Sequence, residues 1–229
     1  LYAGFSATVN HCTFDSNEAK GNGGAIRVVE NDLKVNYSVF SNNRAANGGA
    51  IYSQNQGVNL VGCNFTKNHA VNGAALVFSA DSSIYNCLFE SNVASGNGTL
   101  YVLHVNTRTN IENSTFLKNR ADNGGAVYYG TNTWAPNLYM TNDTFIGNNA
   151  THNGGAIFYI FGNGQGTYRD YNNFDGRGII DSDGRTTVPF KLPYNDLGNS
   201  IVRCYFENNR DYFFDVVGSS RNQTAIIRV

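Results

Sequence analysis

Phenylalanine recurs at positions 14, 40, 65, 89, 116, 145 and 206, and the residues around each copy recur with it. The first five gaps are 26, 25, 24, 27 and 29 residues, and the last is 61. Five residues before each Phe stands a large apolar side chain: Val9, Val35, Leu60, Ile84, Ile111, Met140 and Ile201. Two before it stand Cys12, Ser38, Cys63, Cys87, Ser114, Asp143 and Cys204. Three after it stand Asn17, Asn43, Asn68, Asn92, Asn119, Asn148 and Asn209. Five after it stands Ala, at 19, 45, 70, 94, 121 and 150, until Asp211 breaks the column. A period of this length constrains the fold more than any local propensity, because each unit must bury its apolar side against copies of itself.

A second element follows in each unit: Gly23-Gly24-Ala25-Ile26, Gly48-Gly49-Ala50-Ile51, Gly73-Ala74-Ala75-Leu76, Asn97-Gly98-Thr99-Leu100, Gly124-Gly125-Ala126-Val127 and Gly154-Gly155-Ala156-Ile157. Apolar residues alternate locally, as in Val58, Leu60, Cys63 and Phe65. That is strand periodicity interrupted by bends, and no helical stripe persists. If each unit is one turn of a solenoid, identical residues stack ~4.8 Å apart. Phe then stacks on Phe inside a tube. Asn forms a ladder at a turn and tolerates a left-handed backbone there. Gly-Gly makes a tight corner with positive φ. The expected fold is all-β: a right-handed parallel β-helix of about nine coils, on the order of 40 Å long. It forms one domain over 1–229, with a loop insertion at 158–200.

The paired Phe-x-x-Asn and Gly-Gly-Ala-Ile elements resemble the repeats of the chlamydial polymorphic membrane proteins and of the adhesin-like surface proteins of methanogenic archaea. The likeness covers residues 9–157 and 201–209. Asn97-Gly98-Thr99-Leu100 departs from its pattern. The resemblance implies a right-handed β-helix in a cell-surface protein used for attachment.

Composition narrows the alternatives. The formal net charge is −1, from 16 basic and 17 acidic residues, so no basic footprint for nucleic acid is expected. Charged residues make up only 14%, and Asn (35 residues) and Gly (25) fill the gap. No apolar run approaches the ~20 residues of a membrane helix, so no membrane insertion is expected within this stretch. The chain opens in mid-pattern at Leu1, as a piece of something longer would.

The spacing between Gly-Gly-Ala-Ile and the next apolar column locates a candidate binding face. It is 9 residues from Ile26 to Val35 and from Ile51 to Leu60, and 8 from Leu76 to Ile84. It then grows to 11 (Leu100 to Ile111), 13 (Val127 to Met140) and 44 (Ile157 to Ile201). Insertions at one corner of a solenoid mark a face, often the binding face. The shorter insertion carries Trp134. The longer carries Tyr159, Phe161, Tyr168, Tyr171 and Phe174 with Arg169, Asp170, Asp175, Arg177, Asp181, Asp183 and Arg185. Flat aromatics beside Asp, Asn and Arg suit a sugar ring or a protein surface. The same aromatics are also suited to pack the insertion onto the rod.

Other chemistry is sparse. The four Cys share one inward column with Ser, which reads as a small buried residue and not a disulfide framework. The four His occupy different columns without metal-ligand spacing, so no metal site is expected. Asp181-Ser182-Asp183-Gly184 is the one stretch resembling a Ca²⁺ loop, though the later ligands of such a loop are missing. Triplets such as Asn36-Tyr37-Ser38 and Asn113-Ser114-Thr115 have the form of glycosylation acceptors, most of them by-products of the repeat. No cofactor is expected. The expected function is attachment of an extracellular, surface-held protein to a glycan or protein of another cell. The rival is a polysaccharide-degrading β-helix enzyme: a glycoside hydrolase needs two carboxylates facing each other across a groove, whereas a lyase needs Ca²⁺ with a base beside it.

Overall fold

The computed structural model describes residues 1–54, 56–103, 108–131, 137–162, 169–174, 179–180, 186–189 and 200–211. The chain winds into a parallel β-helix. Each turn contributes one short strand to each of three long faces and, from the third turn, one to a fourth, narrower face. The first sheet stacks Tyr2–Ala3, Ile26–Val28, Ile51–Ser53, Leu76–Phe78, Leu100–Leu103, Val127–Thr131 and Ile157–Gly162 in parallel. Arg169–Phe174 closes its edge in antiparallel register. The second stacks Ala7–Asn10, Leu33–Asn36, Val58–Val61, Ser82–Tyr85, Arg108–Glu112 and Asn137–Thr141. The third stacks Thr13–Asp15, Val39–Ser41, Asn64–Thr66, Leu88–Glu90, Thr115–Leu117 and Thr144–Ile146. One strand, Ser200–Glu207, completes both the second and the third.

The rod makes about six turns, not nine. Nine follows from dividing the length by the period. The 44 residues between Ile157 and Ile201 advance the rod by a single rung, because Ile201 pairs directly with Met140 of the preceding coil.

Burial follows the repeat columns. Phe40, Phe65, Phe89, Phe116 and Phe145 are fully buried and stacked nearly parallel, with centroids 4.8–4.9 Å apart. Each ring contributes roughly 1.5–3 kcal/mol by burial. The strand repeat sets the stacking distance. The apolar column Val9 to Ile201 is in continuous register beside them.

The corners differ from the sequence expectation in one respect. The ladder Asn is not left-handed; the residue before it is. Ser16, Asn42, Lys67, Ser91, Lys118, Gly147 and Asn208 have φ between 52° and 62°. A second left-handed column precedes the Cys/Ser position: His11, Tyr37, Gly62, Asn86, Asn113, Asn142 and Arg203. Each non-Gly member costs about 1–2 kcal/mol, which the ladders they introduce must offset.

The two glycines of Gly-Gly serve different ends. The first has positive φ, for example 64° at Gly48. The second allows close approach: a Cβ on Gly49 would lie 2.1 Å from the Ala74 carbonyl oxygen. Ala74 itself stands at such a second position and is fully buried. It fits because the next corner is one residue shorter. Asn97 is three residues from Leu100, whereas Asn72 is four from Leu76, although both pairs are in register. The carbonyl that an Ala would strike is missing from that corner.

Candidate functional site

The flanking strands place every insertion at the corner between the first and second sheets. Residues 104–107 separate Leu100–Leu103 from Arg108–Glu112, and 132–136 separate Val127–Thr131 from Asn137–Thr141. The longest insertion begins after Ile157–Gly162 on the next coil. Three consecutive coils therefore emit their extra residues from one edge.

Of the candidate binding residues, Trp134, Tyr168, Asp175, Arg177, Asp181, Asp183 and Arg185 lie outside the described residues. The candidate Ca²⁺ loop falls there too. Tyr159 and Phe161 stand on the rod itself, in register with Tyr129 and Thr131. Arg169, Asp170, Tyr171 and Phe174 stand on the antiparallel edge strand, opposite Gly162, Phe161, Ile160 and Ile157. The backbone thus brings Phe161 and Asp170 side by side.

A partly aromatic row runs along the first sheet beside the glycine corners, with Val77 and Phe158 buried and Tyr101 and Tyr128 half-buried. Arg27, Tyr52, Val77, Tyr101, Tyr128 and Phe158 occupy successive rungs of the first sheet. Tyr101 and Tyr128 are 5.0 Å apart and tilted by 59°; Tyr128 and Phe158 are 5.5 Å apart and tilted by 57°. Such tilted pairs are favourable for quadrupolar rings. Burial pushes the Tyr101 phenol above its ordinary range, against a bond to Asn97. The row was not singled out in the sequence because its members change type from coil to coil.

Three polar ladders run along the rod. In the first, Asn43 Nδ2 and its main-chain N both donate to Asn68 Oδ1 at 3.0 Å, and Nδ2 also donates to the Phe14 carbonyl at 2.9 Å. The pattern repeats from Asn17 to Asn209. Buried amides are thereby satisfied at every rung. The second ladder escaped the sequence reading. Asn22, Asn47, Asn72, Asn97, Asn123 and Asn153 precede the glycine corners, and most donate Nδ2 to the preceding coil, opposite in direction to the first. Its signal was present: an Asn stands immediately before the corner glycine in all six copies.

The third ladder explains why Cys and Ser interchange. Cys12, Ser38, Cys63, Cys87 and Ser114 donate to the carbonyl two residues back. Ser38, Cys87 and Ser114 also accept from the main-chain N of the preceding coil, from Cys12, Cys63 and Cys87. Small size alone does not define the column. The contact with Cys63, and then burial, push the Cys87 thiol well above its usual range. None of the four Cys forms a disulfide; Cys63, Cys87 and Cys204 are buried. Cys12, on the first of the described turns, is exposed, against expectation.

Asp143 occupies the same column, fully buried. Its Oδ1 accepts from Ser114 N at 2.8 Å and its Oδ2 from Thr141 N at 3.2 Å. Burial raises its carboxyl to about 8, outweighing these two bonds. At neutral pH it sits mostly protonated.

Two polar clusters lie on the surface: in one, Ser41, Asn42 and Ser16 donate to Asp15 and hold its carboxyl below the ordinary range, and the other is built on Asp122. Between Ala121 and Asn123 the register shifts, so Asp122 faces both Thr151 and His152. Thr151 Oγ1 donates to Asp122, and His152 Nδ1 pairs with the same carboxylate oxygen. Burial works upward on Asp122, but these two partners prevail and hold it below its ordinary range. Among the described residues no cluster of metal-ligating side chains occurs, and no helix is long and apolar enough to cross a membrane.

Comparison with curated proteins and with solved structures gave no match. The model of one family, described as a right handed beta helix region, matches residues 1–179. That span holds the Phe stack through Phe145 and five of the six inter-coil Asn–Asn steps of the first ladder, so the chain belongs to the right-handed β-helix family.

Proposed function

We propose that this β-helix is the rod of an extracellular attachment protein that presents its insertion-bearing edge to a glycan or protein on another cell. The observation that carries this reading is the placement of the insertions: three consecutive coils release them, in increasing length, at the corner between the first and second sheets. The other corners keep their ladders from coil to coil, so variation is concentrated where a ligand would be met.

The test is binding of the purified chain to intact cells and to a glycan array. Saturable binding is expected. Trp134→Ala should weaken it by ~1–3 kcal/mol as loss of a stacking anchor. Cutting the 158–200 insertion to the 9-residue spacing of the early coils should abolish it while the rod stays folded. Equal binding by the trimmed chain would place the site elsewhere. Turnover of an acidic polysaccharide, lost in Asp181→Asn or Asp183→Asn, would replace attachment with catalysis.

A further inference from the structure

We infer that Asn64 and Asn113 carry covalently attached glycans, and that other acceptor triplets of the described rod remain bare. The inference rests on the extracellular reading above. Acceptor triplets of the form Asn-x-Ser/Thr begin at Asn36, Asn64, Asn97, Asn113, Asn142 and Asn149, and at Asn222, which lies outside the described residues; the triplet alone does not distinguish them. The structure does.

Asn97 belongs to the second ladder, where it accepts from Asn123, and the Thr99 of its triplet is fully buried with its hydroxyl on the Gly125 carbonyl. Asn149 has its Oδ1 buried, and its Thr151 is held by Asp122. Asn36 donates to Asn10 at 2.7 Å, and Ser38 is buried in the thiol–hydroxyl ladder. In all three, the amide or the hydroxyl is committed to the rod.

Asn64 and Asn113 differ. Asn64 is exposed and makes no side-chain hydrogen bond among the described residues. It lies on the strand Asn64–Thr66, where Phe65 is fully buried, so Asn64 and Thr66 share the outward face. Asn113 is exposed on a left-handed corner, with only a long 3.4 Å contact to Glu112, and Ser114 between it and Thr115 points inward. Asn142 occupies the corner one rung on from Asn113 but is less exposed. Rungs ~4.8 Å apart leave room for one glycan at that pair. Both sites sit at or just past the corner between the second and third sheets, away from the insertion edge. Sugar there leaves that edge open.

The donor is a sugar chain linked through phosphate to a lipid, supplied by the cell. The amide nitrogen forms a bond to the anomeric carbon and loses a proton. The anomeric carbon–oxygen bond breaks, and the lipid phosphate leaves with its electron pair.

The test is glycopeptide mass spectrometry on the protein isolated from the cells that make it. Sugar at both Asn64 and Asn113, with Asn36, Asn97 and Asn149 bare, supports the inference. Thr66→Val and Thr115→Val should each remove the matching glycoform. A bare peptide at either Asn64 or Asn113 overturns it, as does equal occupancy at Asn36, Asn97 or Asn149. Protease shaving of intact cells separates the two readings. A shaved, surface-borne chain with both sites bare overturns the glycans alone. A chain protected inside the cell overturns the surface reading as well.

Discussion

Thr99 Oγ1 donates to the Gly125 carbonyl at 3.0 Å, across the one corner that is a residue shorter than its neighbours. The same shortening gives Ala74 its space on the other side. Two departures from the repeat thus compensate each other across one rung. Thr99→Val keeps shape and burial but leaves the Gly125 carbonyl without this donor, and should cost ~1–3 kcal/mol. Gly49→Ala should cost more, because its Cβ would meet backbone, 2.1 Å from the Ala74 oxygen. Ala74→Gly should cost only ~0.5–1 kcal/mol through backbone entropy. Urea unfolding of the three variants checks the order; a mild Gly49→Ala would show that the corner relaxes.

Asn68→Ala removes more than one bond. Asn68 Oδ1 accepts from Asn43 N and Nδ2, and its Nδ2 donates to the Phe40 carbonyl and to Asn92 Oδ1. In the variant the buried Asn43 main-chain N and the Phe40 carbonyl lose these partners, while Asn43 Nδ2 keeps the Phe14 carbonyl and Asn92 Oδ1 keeps the main-chain N of position 68. A loss of ~1–3 kcal/mol or more is expected in a thermal melt. Asn72→Ala, in the part-buried second ladder, should cost less because water reaches its partners. Equal costs would mean that solvent exposure does not separate the ladders.

The thiols offer a direct check of the register. Cys12 should react with an alkylating reagent in the native protein, whereas Cys63, Cys87 and Cys204 should react only after unfolding. One label before denaturation and four after it, without reductant, is the expected mass pattern. Native labelling of Cys63 or Cys87 would contradict the stacked interior.

What the sequence makes legible is what repeats as a residue type. Phe65, Asn68 and Gly48 each belong to columns in which one side chain is nearly obligatory, because identical groups stack on themselves at strand spacing. The left-handed corners were hidden because Tyr37, Gly62, Asn86 and Lys67 share a backbone conformation and not a side chain. The coil number was misjudged because insertion length says nothing about rise: Ile201 follows Ile157 by 44 residues yet lies one rung beyond Met140. The candidate binding edge was legible as a corner, since its insertions are read from spacing. Trp134 and the acids at 181 and 183 remain known by sequence alone.

Asp143 gives the rod a pH dependence of definite sign. Its carboxyl titrates at about 8 in the folded protein, against an ordinary value of 3.8, because burial disfavours the charge. Between those values the folded state holds a proton that the unfolded chain has released. Stability from this site is therefore complete below about pH 4 and declines as pH rises towards 8, with a slope of up to ~1.4 kcal/mol per pH unit. Asp15 and Asp122, held below their ordinary values, act the other way and only in acid. Asp143→Ser restores the residue type of Ser38 and Ser114, which keep both ladder bonds without a charge to bury. The variant should match the native protein near pH 4 and exceed it progressively from pH 5 to 8. Urea midpoints at pH 4, 6 and 8 decide the matter. Parallel curves for variant and native protein would show that Asp143 is already ionised in the fold, with a partner sufficient to hold its charge.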